Sequence, residues 1–98
     1  MTIEILPRAK QDLLTGFRFY EQQEQGLGSY FRDSLFADIE ALRVTAGVHA
    51  RVAGYHRAIS KNFPFAIYYR VSGKFLQVHA ILDCRRDPDS TQRKLRVR

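Results

Sequence analysis

The sequence has little of what would direct a chain out of the cytoplasm or into a membrane. Its 98 residues include a single cysteine, Cys84, so no internal disulfide can form, which agrees with a reducing compartment. The longest uncharged apolar run covers residues 63–69, whereas a membrane-spanning helix needs about 20 apolar residues. The first residues also lack the basic and then apolar segments of a signal peptide. We therefore expect a cytoplasmic protein that does not bind membranes.

A recognisable pattern of metal ligands is absent as well. The three histidines and the cysteine have no zinc-finger or zinc-ribbon spacing, so we expect neither a bound metal nor a cofactor. These four residues are His49, His56, His79 and Cys84. Cys84 lies beside Arg85, which would favour a thiolate, yet the sequence shows no partner base. A small strand residue is therefore the preferred interpretation of Cys84.

Internal repeats and low-complexity segments are also missing. Hydrophobic residues make up 45% of the chain and aromatic residues 12%, as in globular proteins. A chain of this length has room for one hydrophobic core. We predict a single domain over residues 1–98, with a basic C-terminal tail at residues 89–98.

What the sequence does contain is an uneven distribution of charge. The net charge is +6, with 16 Lys and Arg residues against 10 Asp and Glu residues. Residues 1–50 carry a net charge of −2 and residues 51–98 a net charge of +8. A field polarised in this way attracts polyanions or an acidic protein partner.

Two amphipathic helices are predicted in the first half of the chain. Pro7 suits the first turn of a helix, because its missing N–H would have no partner there. Residues 26–28 end this helix, Ser29 is predicted to cap the next one, and Gly47 marks the end of that second helix. The apolar stripes consist of Ala9, Leu13, Phe17 and Tyr20 in the first helix and of Phe31, Leu35, Ile39 and Leu42, widened by Phe36, in the second.

After residue 51 the apolar pattern changes from a helical period to the alternation typical of strands. The predicted strands cover residues 2–6, 55–61, 65–71 and 75–83. A tight turn at Ser72 and Gly73 joins the last two strands into a hairpin. The predicted fold class is α+β in the order β-α-α-β-β-β, with a helical hairpin packed on a small, mostly antiparallel sheet.

The alternation also assigns residues to the two faces of the sheet. One face should receive the helices, and the other is predicted to be a mixed polar surface with aromatics that is suited to binding. The predicted helix-facing residues are Phe65, Ile67, Tyr69, Val71, Leu76, Val78, Ala80 and Leu82. The opposite face is predicted to carry Ala66, Tyr68, Arg70, Phe75, Gln77, His79, Ile81 and Asp83. The pattern leaves open whether Ile59 enters the core.

The last predicted strand ends in a charged segment, residues 83–87, which we call the rim. Arg85 and Arg86 lie here between Asp83 and Asp87, and Pro88 follows. An aspartate among arginines stays ionised and accepts protons only weakly at neutral pH, so we interpret Asp83 as a salt-bridge partner. Asp87 is an alternative partner for the same arginines.

The order of the predicted elements and four short segments together carry a family resemblance. The first segment is Pro7-Arg8-Ala9 with Asp12-Leu13, and the second is Tyr20-Glu21 followed by Gly26-Leu27-Gly28 and Phe31. The third segment is Phe63-Pro64-Phe65 followed by Ile67 and Tyr69-Arg70, and the fourth is Arg85-Arg86-Asp87-Pro88. They resemble the RelE/ParE superfamily of toxins from bacterial toxin–antitoxin modules, over about residues 3–88. The resemblance implies a small basic toxin, encoded beside an antitoxin that wraps it into a hetero-oligomer, in systems that stabilise plasmids or chromosomal regions.

The resemblance implies one of two activities. ParE-like members inhibit DNA gyrase by trapping its cleaved-DNA intermediate, which requires a binding surface rather than catalytic groups. RelE-like members cleave mRNA in the ribosomal A site, which requires cations and a group that carries protons. The cations available to such a nuclease are Arg57, Lys61, Arg70 and Arg85.

The proton carrier of the nuclease is what the sequence lacks. No tyrosine follows Tyr69, and Asp83 stands where relatives often have histidine. We therefore predict a ParE-like inhibitor of DNA gyrase without catalytic residues. A ribosome-dependent mRNA endoribonuclease and a non-toxic, basic protein-binding module are the alternatives.

Two sets of residues are expected to contact partners. The candidates for binding the target are Arg70, Asp83, Arg85, Arg86, Arg93, Lys94 and Arg96. The candidates for binding the antitoxin are Leu14, Phe17, Tyr20, Leu27, Tyr30, Phe75 and His79. Past Pro88 the basic tail is either solvated or becomes ordered when the antitoxin or the target binds.

Overall fold

The computed structural model describes residues 1–98 and contains five strands and three helices. The elements are β1 (Thr2–Ile5), α1 (Pro7–Gln23), α2 (Leu27–Thr45), β2 (Arg51–Val52), β3 (Tyr55–Ile59), β4 (Phe65–Ser72), β5 (Phe75–Asp83) and α3 (Pro88–Arg96). The predicted fold class and the order of its elements are confirmed. The structure adds β2 and α3, which the sequence did not predict. None of the three helices is both long and apolar enough to cross a membrane.

The strands form one sheet in the order β1-β5-β4-β3-β2. β1 runs parallel to β5, and the other neighbouring pairs are antiparallel, so the sheet is mostly antiparallel as predicted. The helical hairpin of α1 and α2 packs on one face. The cluster buried there consists of Ala9, Leu13, Tyr20, Phe31, Leu35, Ile39, Leu42, Ala58, Phe63, Phe65, Ile67, Tyr69, Leu76, Val78 and Ile81.

A β-bulge in β5 changes which side chains face the helices. Tyr68 pairs with Ala80 and Tyr69 pairs with Val78, so His79 is an extra residue on β5. Because side chains alternate with a period of two, one extra residue moves every later side chain to the other face. Ala80 and Leu82 therefore leave the helix-facing side.

The predicted faces are consequently wrong beyond the bulge. Ile81 and Asp83 pair with Ile67 and Phe65, on the face that receives the helices. Ile59, which the pattern left open, is exposed, and its neighbour Ala58 enters the core instead.

Part of the second face of the sheet is buried, contrary to the prediction of an open polar surface, whereas Arg70 and Phe75 of the same face are exposed. Its cluster consists of Tyr55, Ala66, Tyr68, Ala80, Leu82 and Leu95. Leu95 comes from α3 and is only 2% exposed. Most of the predicted basic tail at residues 89–98 thus belongs to α3, which is anchored on the sheet by Leu95 and keeps Arg93 and Arg96 exposed to solvent.

Local interactions explain where two of the helices begin. α2 starts at Leu27, before the predicted cap Ser29, with Gly26 as its N-cap at φ +89°. The carboxylate of Glu21 accepts hydrogen bonds from the backbone N–H groups of Gly26 and Gly28 at 2.9–3.1 Å, which supplies the cap from α1. α3 is capped by Asp87, whose carboxylate accepts from Ser90 N at 3.0 Å.

Close contact between the two helices of the hairpin requires glycine at one position of α1. A Cβ atom added to Gly16 would lie 2.5 Å from Cζ of Phe31, which is fully buried. The ring of Phe31 also packs edge-on against the rings of Phe63 and Phe65 at centroid distances of 5.1 and 4.9 Å. This aromatic cluster fixes the end of the hairpin over the strand end that leads to the rim.

Candidate functional site: a basic rim and an apolar groove

The rim contains an ion pair between Asp83 and Arg85, two residues apart in the chain. Asp83 accepts hydrogen bonds from Nε of Arg85 at 3.0 Å, from Nη2 of Arg85 at 2.7 Å and from the backbone N of Arg85 at 2.8 Å. These bonds, with the nearby charge of Arg86, hold the pKa of Asp83 below its usual range. The interpretation of Asp83 as a salt-bridge partner is confirmed. Asp87 does not compete for the arginine, because it caps α3.

Arg86 has no hydrogen bond or ion pair from its side chain, unlike Arg85, and it lines two clefts. The first, which we call the α1 cleft, has a volume of about 180 Å³ and separates α1 from the rim and α3. The second, the Cys84 cleft, has a volume of about 210 Å³ and lies between the second face of the sheet and α3. Arg86 is therefore the rim residue most available to an anion.

The Cys84 cleft joins an arginine to a tyrosine hydroxyl. Nε of Arg57 donates to the hydroxyl of Tyr68 at 3.2 Å, and this bond is the main reason that the pKa of Arg57 is raised. Cys84 lies in the same cleft, and burial, which outweighs the nearby charge of Arg57, raises the pKa of its thiol. The thiol therefore stays protonated at neutral pH, which argues against a nucleophilic role.

The four cations predicted for a nuclease do not converge. Arg57 lies in the Cys84 cleft, and the guanidinium of Arg85 is bound to Asp83. Lys61 is exposed in the loop after β3. Arg70 lies five residues along β4 from the end that pairs with Asp83, about 17 Å away at the usual rise per residue, and its guanidinium stacks on Tyr55 at 4.1 Å.

An apolar groove opens on the outer side of the helical hairpin, with a volume of about 330 Å³. It is lined by Ile5, Lys10, Leu13, Leu14, Phe17, Arg32 and Phe36. Leu14 and Phe36 are 40% and 45% exposed, so the groove presents apolar surface to solvent. The guanidinium of Arg32 lies 5.6 Å from the ring centroid of Phe17, and its only carboxylate partner is the exposed, adjacent Asp33 at 3.2 Å.

The structure brings together only part of the set predicted to bind an antitoxin. Leu14 and Phe17 line the groove. Tyr30 and Phe75 are exposed elsewhere, Tyr30 against the ring of Phe63 and Phe75 after the turn between β4 and β5. The others offer little surface: Tyr20 is buried among the rings of the core, Leu27 is packed against the same core, and both ring nitrogens of His79 are buried.

The residues predicted to bind a target lie at three places. Asp83, Arg85 and Arg86 form the rim, Lys94 faces the α1 cleft, and Arg93 and Arg96 are exposed on α3. Arg70 is separate from all of them, on the far part of β4.

Several residues of these surfaces were not predicted from the sequence. Phe19 of the α1 cleft and Lys10 and Arg32 of the groove were not singled out, and Tyr68 was assigned to a surface rather than to a cleft. Phe19 is an apolar residue outside the predicted stripe of α1, and this position in the helix predicts an exposed ring.

A comparison with solved structures finds a chain of the same architecture. It comes from a structure described as "Chromosomal ParDE TA system from P. aeruginosa", with a TM-score of 0.71 and 21% sequence identity. The match covers 83% of this chain and 92% of the other. The chain has a ParE-like fold. No protein-family model matches the sequence, and no curated protein is significantly similar to it.

Proposed function

We propose that this chain is the toxin of a toxin–antitoxin module, that it inhibits DNA gyrase, and that a cognate antitoxin neutralises it. The observation that carries the proposal is the ParE-like fold, which matches a chain of a ParDE toxin–antitoxin system along most of both chains. The groove and the rim supply the two surfaces that such a protein needs, one for the antitoxin and one for the target.

The groove has the chemistry to receive an acidic, amphipathic segment of an antitoxin. Its apolar floor would bury the apolar residues of that segment, and Lys10 and Arg32 would meet its carboxylates. A substitution of Leu14 by Glu places a charge in the floor and should weaken the complex at least about tenfold. Val44→Glu is the matched control, because Val44 is 89% exposed on α2 and does not line the groove.

The rim has the chemistry to bind an acidic protein surface or nucleic acid held by it. Arg86 of the rim is unpaired, and the ion pair of Asp83 and Arg85 holds the end of β5. The neighbouring helix α3 adds the exposed Arg93 and Arg96. Contacts of this kind need no catalytic group, since inhibition by binding depends on position and charge complementarity.

Induction of the chain alone in bacteria tests the proposal. We expect filamentation and a DNA-damage response while bulk mRNA stays intact, and inhibition of supercoiling by purified gyrase in vitro. Arg86→Ala should reduce both effects without lowering the melting temperature, because the side chain makes no bond within the chain. Lys74→Ala, an exposed cation at the opposite end of β5, is the control. Normal growth and normal supercoiling with the intact chain would refute the proposal.

One observation favours a ribosome-dependent nuclease as a second candidate. The Cys84 cleft places the hydroxyl of Tyr68 beside Arg57, with Arg86 on the same cleft, so a proton carrier and two cations do meet in one place. Cleavage of ribosome-bound mRNA that is lost in Tyr68→Phe, without any inhibition of gyrase, would replace the first candidate by the second.

A further inference from the structure

The α1 cleft is lined by two carboxylates, Asp12 and Asp83, and by two cations, Arg86 and Lys94. Its two carboxylates are each occupied by a bidentate partner within the chain. Asp12 receives the two terminal nitrogens of Arg98 at 2.7 and 2.9 Å, and Asp83 receives the guanidinium of Arg85. Neither carboxylate is therefore free to attract or repel a ligand strongly.

The two cations of the same cleft are unpaired. Arg86 and Lys94 both line it, and neither side chain forms a hydrogen bond or an ion pair with the rest of the protein. Lys94 is half-buried, so its charge lies partly out of solvent. A guanidinium and an ammonium that converge on one space, beside neutralised carboxylates, attract an anion into that space.

An aromatic wall stands next to these cations. Phe19 is 49% exposed on α1, and its ring is held edge-on against Tyr20 at a centroid distance of 5.1 Å. A ring that is half exposed and packed against a neighbouring aromatic can offer a stacking surface to a planar ligand. Thr15, one turn earlier on α1, adds a hydroxyl to the same wall.

We propose that the α1 cleft binds one phosphodiester of a single-stranded nucleic acid. Arg86 and Lys94 hold the phosphate, and the neighbouring base stacks on Phe19. A volume of about 180 Å³ is enough for a phosphate and part of its sugar, and the base remains on the open side. An acidic peptide would satisfy the cations but would make no use of the aromatic wall, so nucleic acid is the better fit. The identity of the nucleic acid rests on the proposed function: if the chain inhibits gyrase, the ligand is a DNA strand held by that enzyme.

The test is the binding of a fluorescein-labelled oligothymidylate of eight nucleotides to the full chain, measured by fluorescence anisotropy. The double variant Arg86→Gln/Lys94→Gln should bind at least about tenfold more weakly, and the slope of log K against log salt should fall by about 0.7. Phe19→Leu should weaken binding about fivefold or more without changing that slope. The matched control is Arg18→Gln/Lys74→Gln, which removes two exposed charges elsewhere and should change affinity less than about threefold.

Two results would overturn the proposal. One is equal loss of affinity in the control and in the cleft variant, which would mean a diffuse attraction to net charge. The other is unchanged oligonucleotide binding while binding of a labelled hexaglutamate peptide is lost, which would make the cleft a site for an acidic protein.

The supercoiling assay separates this proposal from the proposed function. If the intact chain inhibits gyrase and the Arg86→Gln/Lys94→Gln variant inhibits it equally and also binds the oligonucleotide normally, the cleft proposal and the role of Arg86 in binding the target both fail, while inhibition of gyrase stands. If the intact chain binds the oligonucleotide through the cleft but does not inhibit gyrase, the proposed function fails and the binding site stands.

Discussion

On one face of the sheet α1 and α2 bury a cluster of 15 residues, and on the other face α3 covers a cluster of six. The larger cluster receives seven residues from α1 and α2: Ala9, Leu13, Tyr20, Phe31, Leu35, Ile39 and Leu42. The smaller cluster receives only Leu95 from α3. The same sheet therefore has one face stabilised mainly by apolar burial and one that depends on a single apolar anchor.

On the face covered by α3, polar contacts add to the small amount of apolar burial in holding the helix in place. Arg98 binds Asp12 of α1 and also donates to the carbonyl of His79 at 3.0 Å. Arg8 of α1 donates to the carbonyl of Val97. These contacts tie the C-terminal end of α3 to α1, so the difference between the faces can be tested by removing one type of contact at a time.

The largest expected effect is on the face covered by α1 and α2. Phe31→Ala removes a fully buried ring that packs against Tyr20, Phe63 and Phe65, and should lower the free energy of unfolding by about 3–5 kcal/mol. A urea titration measures this loss. Phe36→Ala, on the same helix but 45% exposed, should cost less than about 1 kcal/mol. Similar losses in both variants would contradict the packing described for this face.

A smaller and more local effect is expected from the anchor of α3. Leu95→Ala should cost about 2–3 kcal/mol, and the loss should appear first as faster hydrogen exchange in α3, while the amides of α1 and α2 remain protected. Val97→Ala is the control, because Val97 is 67% exposed. Uniform loss of protection in all three helices would mean that the two faces unfold as one unit and would remove the distinction between them.

The two faces also differ in how well the sequence predicted them. The hairpin was predictable because Phe31, Leu35 and Ile39 repeat with the helical period, and a local period is a direct sign of the buried face. Ala80 and Leu82 were assigned to the wrong face, because the bulge at His79 changes the alternation without any change in residue type. A bulge of this kind depends on the pairing partner, which a single strand does not reveal.

The packing of α3 was not predictable for a related reason. Its segment is highly charged and has one buried apolar residue, so its pattern resembles a solvated tail. Its position depends on the contact between Arg98 and Asp12, which are 86 residues apart in the chain. The candidate site was predicted in part: the rim follows from the arginines after a hairpin, but the grouping of Arg86 with Lys94 and Phe19 requires α3 to be in place.

The third prediction concerns this long-range contact. Asp12→Asn removes the charge that binds Arg98 and weakens an acceptor of the backbone N–H of Ile81 at 2.9 Å, so it should cost about 1.5–2 kcal/mol. In the single variant Arg98, whose side chain is only 10% exposed, is left as an unpaired charge. Arg98→Met removes that charge, so the cost of Asp12→Asn should be smaller in a chain that already carries Arg98→Met. A double-mutant cycle by urea titration measures the coupling. Strictly additive costs would show that the pair does not hold α3.

The smallest effect expected is the pH dependence that His79 gives to the α3 face. Both ring nitrogens of His79 are buried without a hydrogen-bond partner, and the ring packs against Tyr55 at a centroid distance of 5.0 Å. Burial first, and then the charges of Arg70 and Arg98, lower the pKa of His79 below its ordinary value of 6.5. The folded chain therefore favours the neutral ring, whereas the unfolded chain takes up the proton near the ordinary pKa.

Because the unfolded state binds more protons in this range, the contribution of His79 to stability is complete above about pH 6.5 and is lost as the pH falls through the lowered pKa. His79→Gln removes the titration of this residue but keeps a polar side chain. The difference in unfolding free energy between the wild type and this variant should therefore decrease as the pH is lowered from 7.5 to 5.5. A difference that stays constant across these pH values would show that folding does not change the proton affinity of His79 and would contradict its burial in an apolar environment.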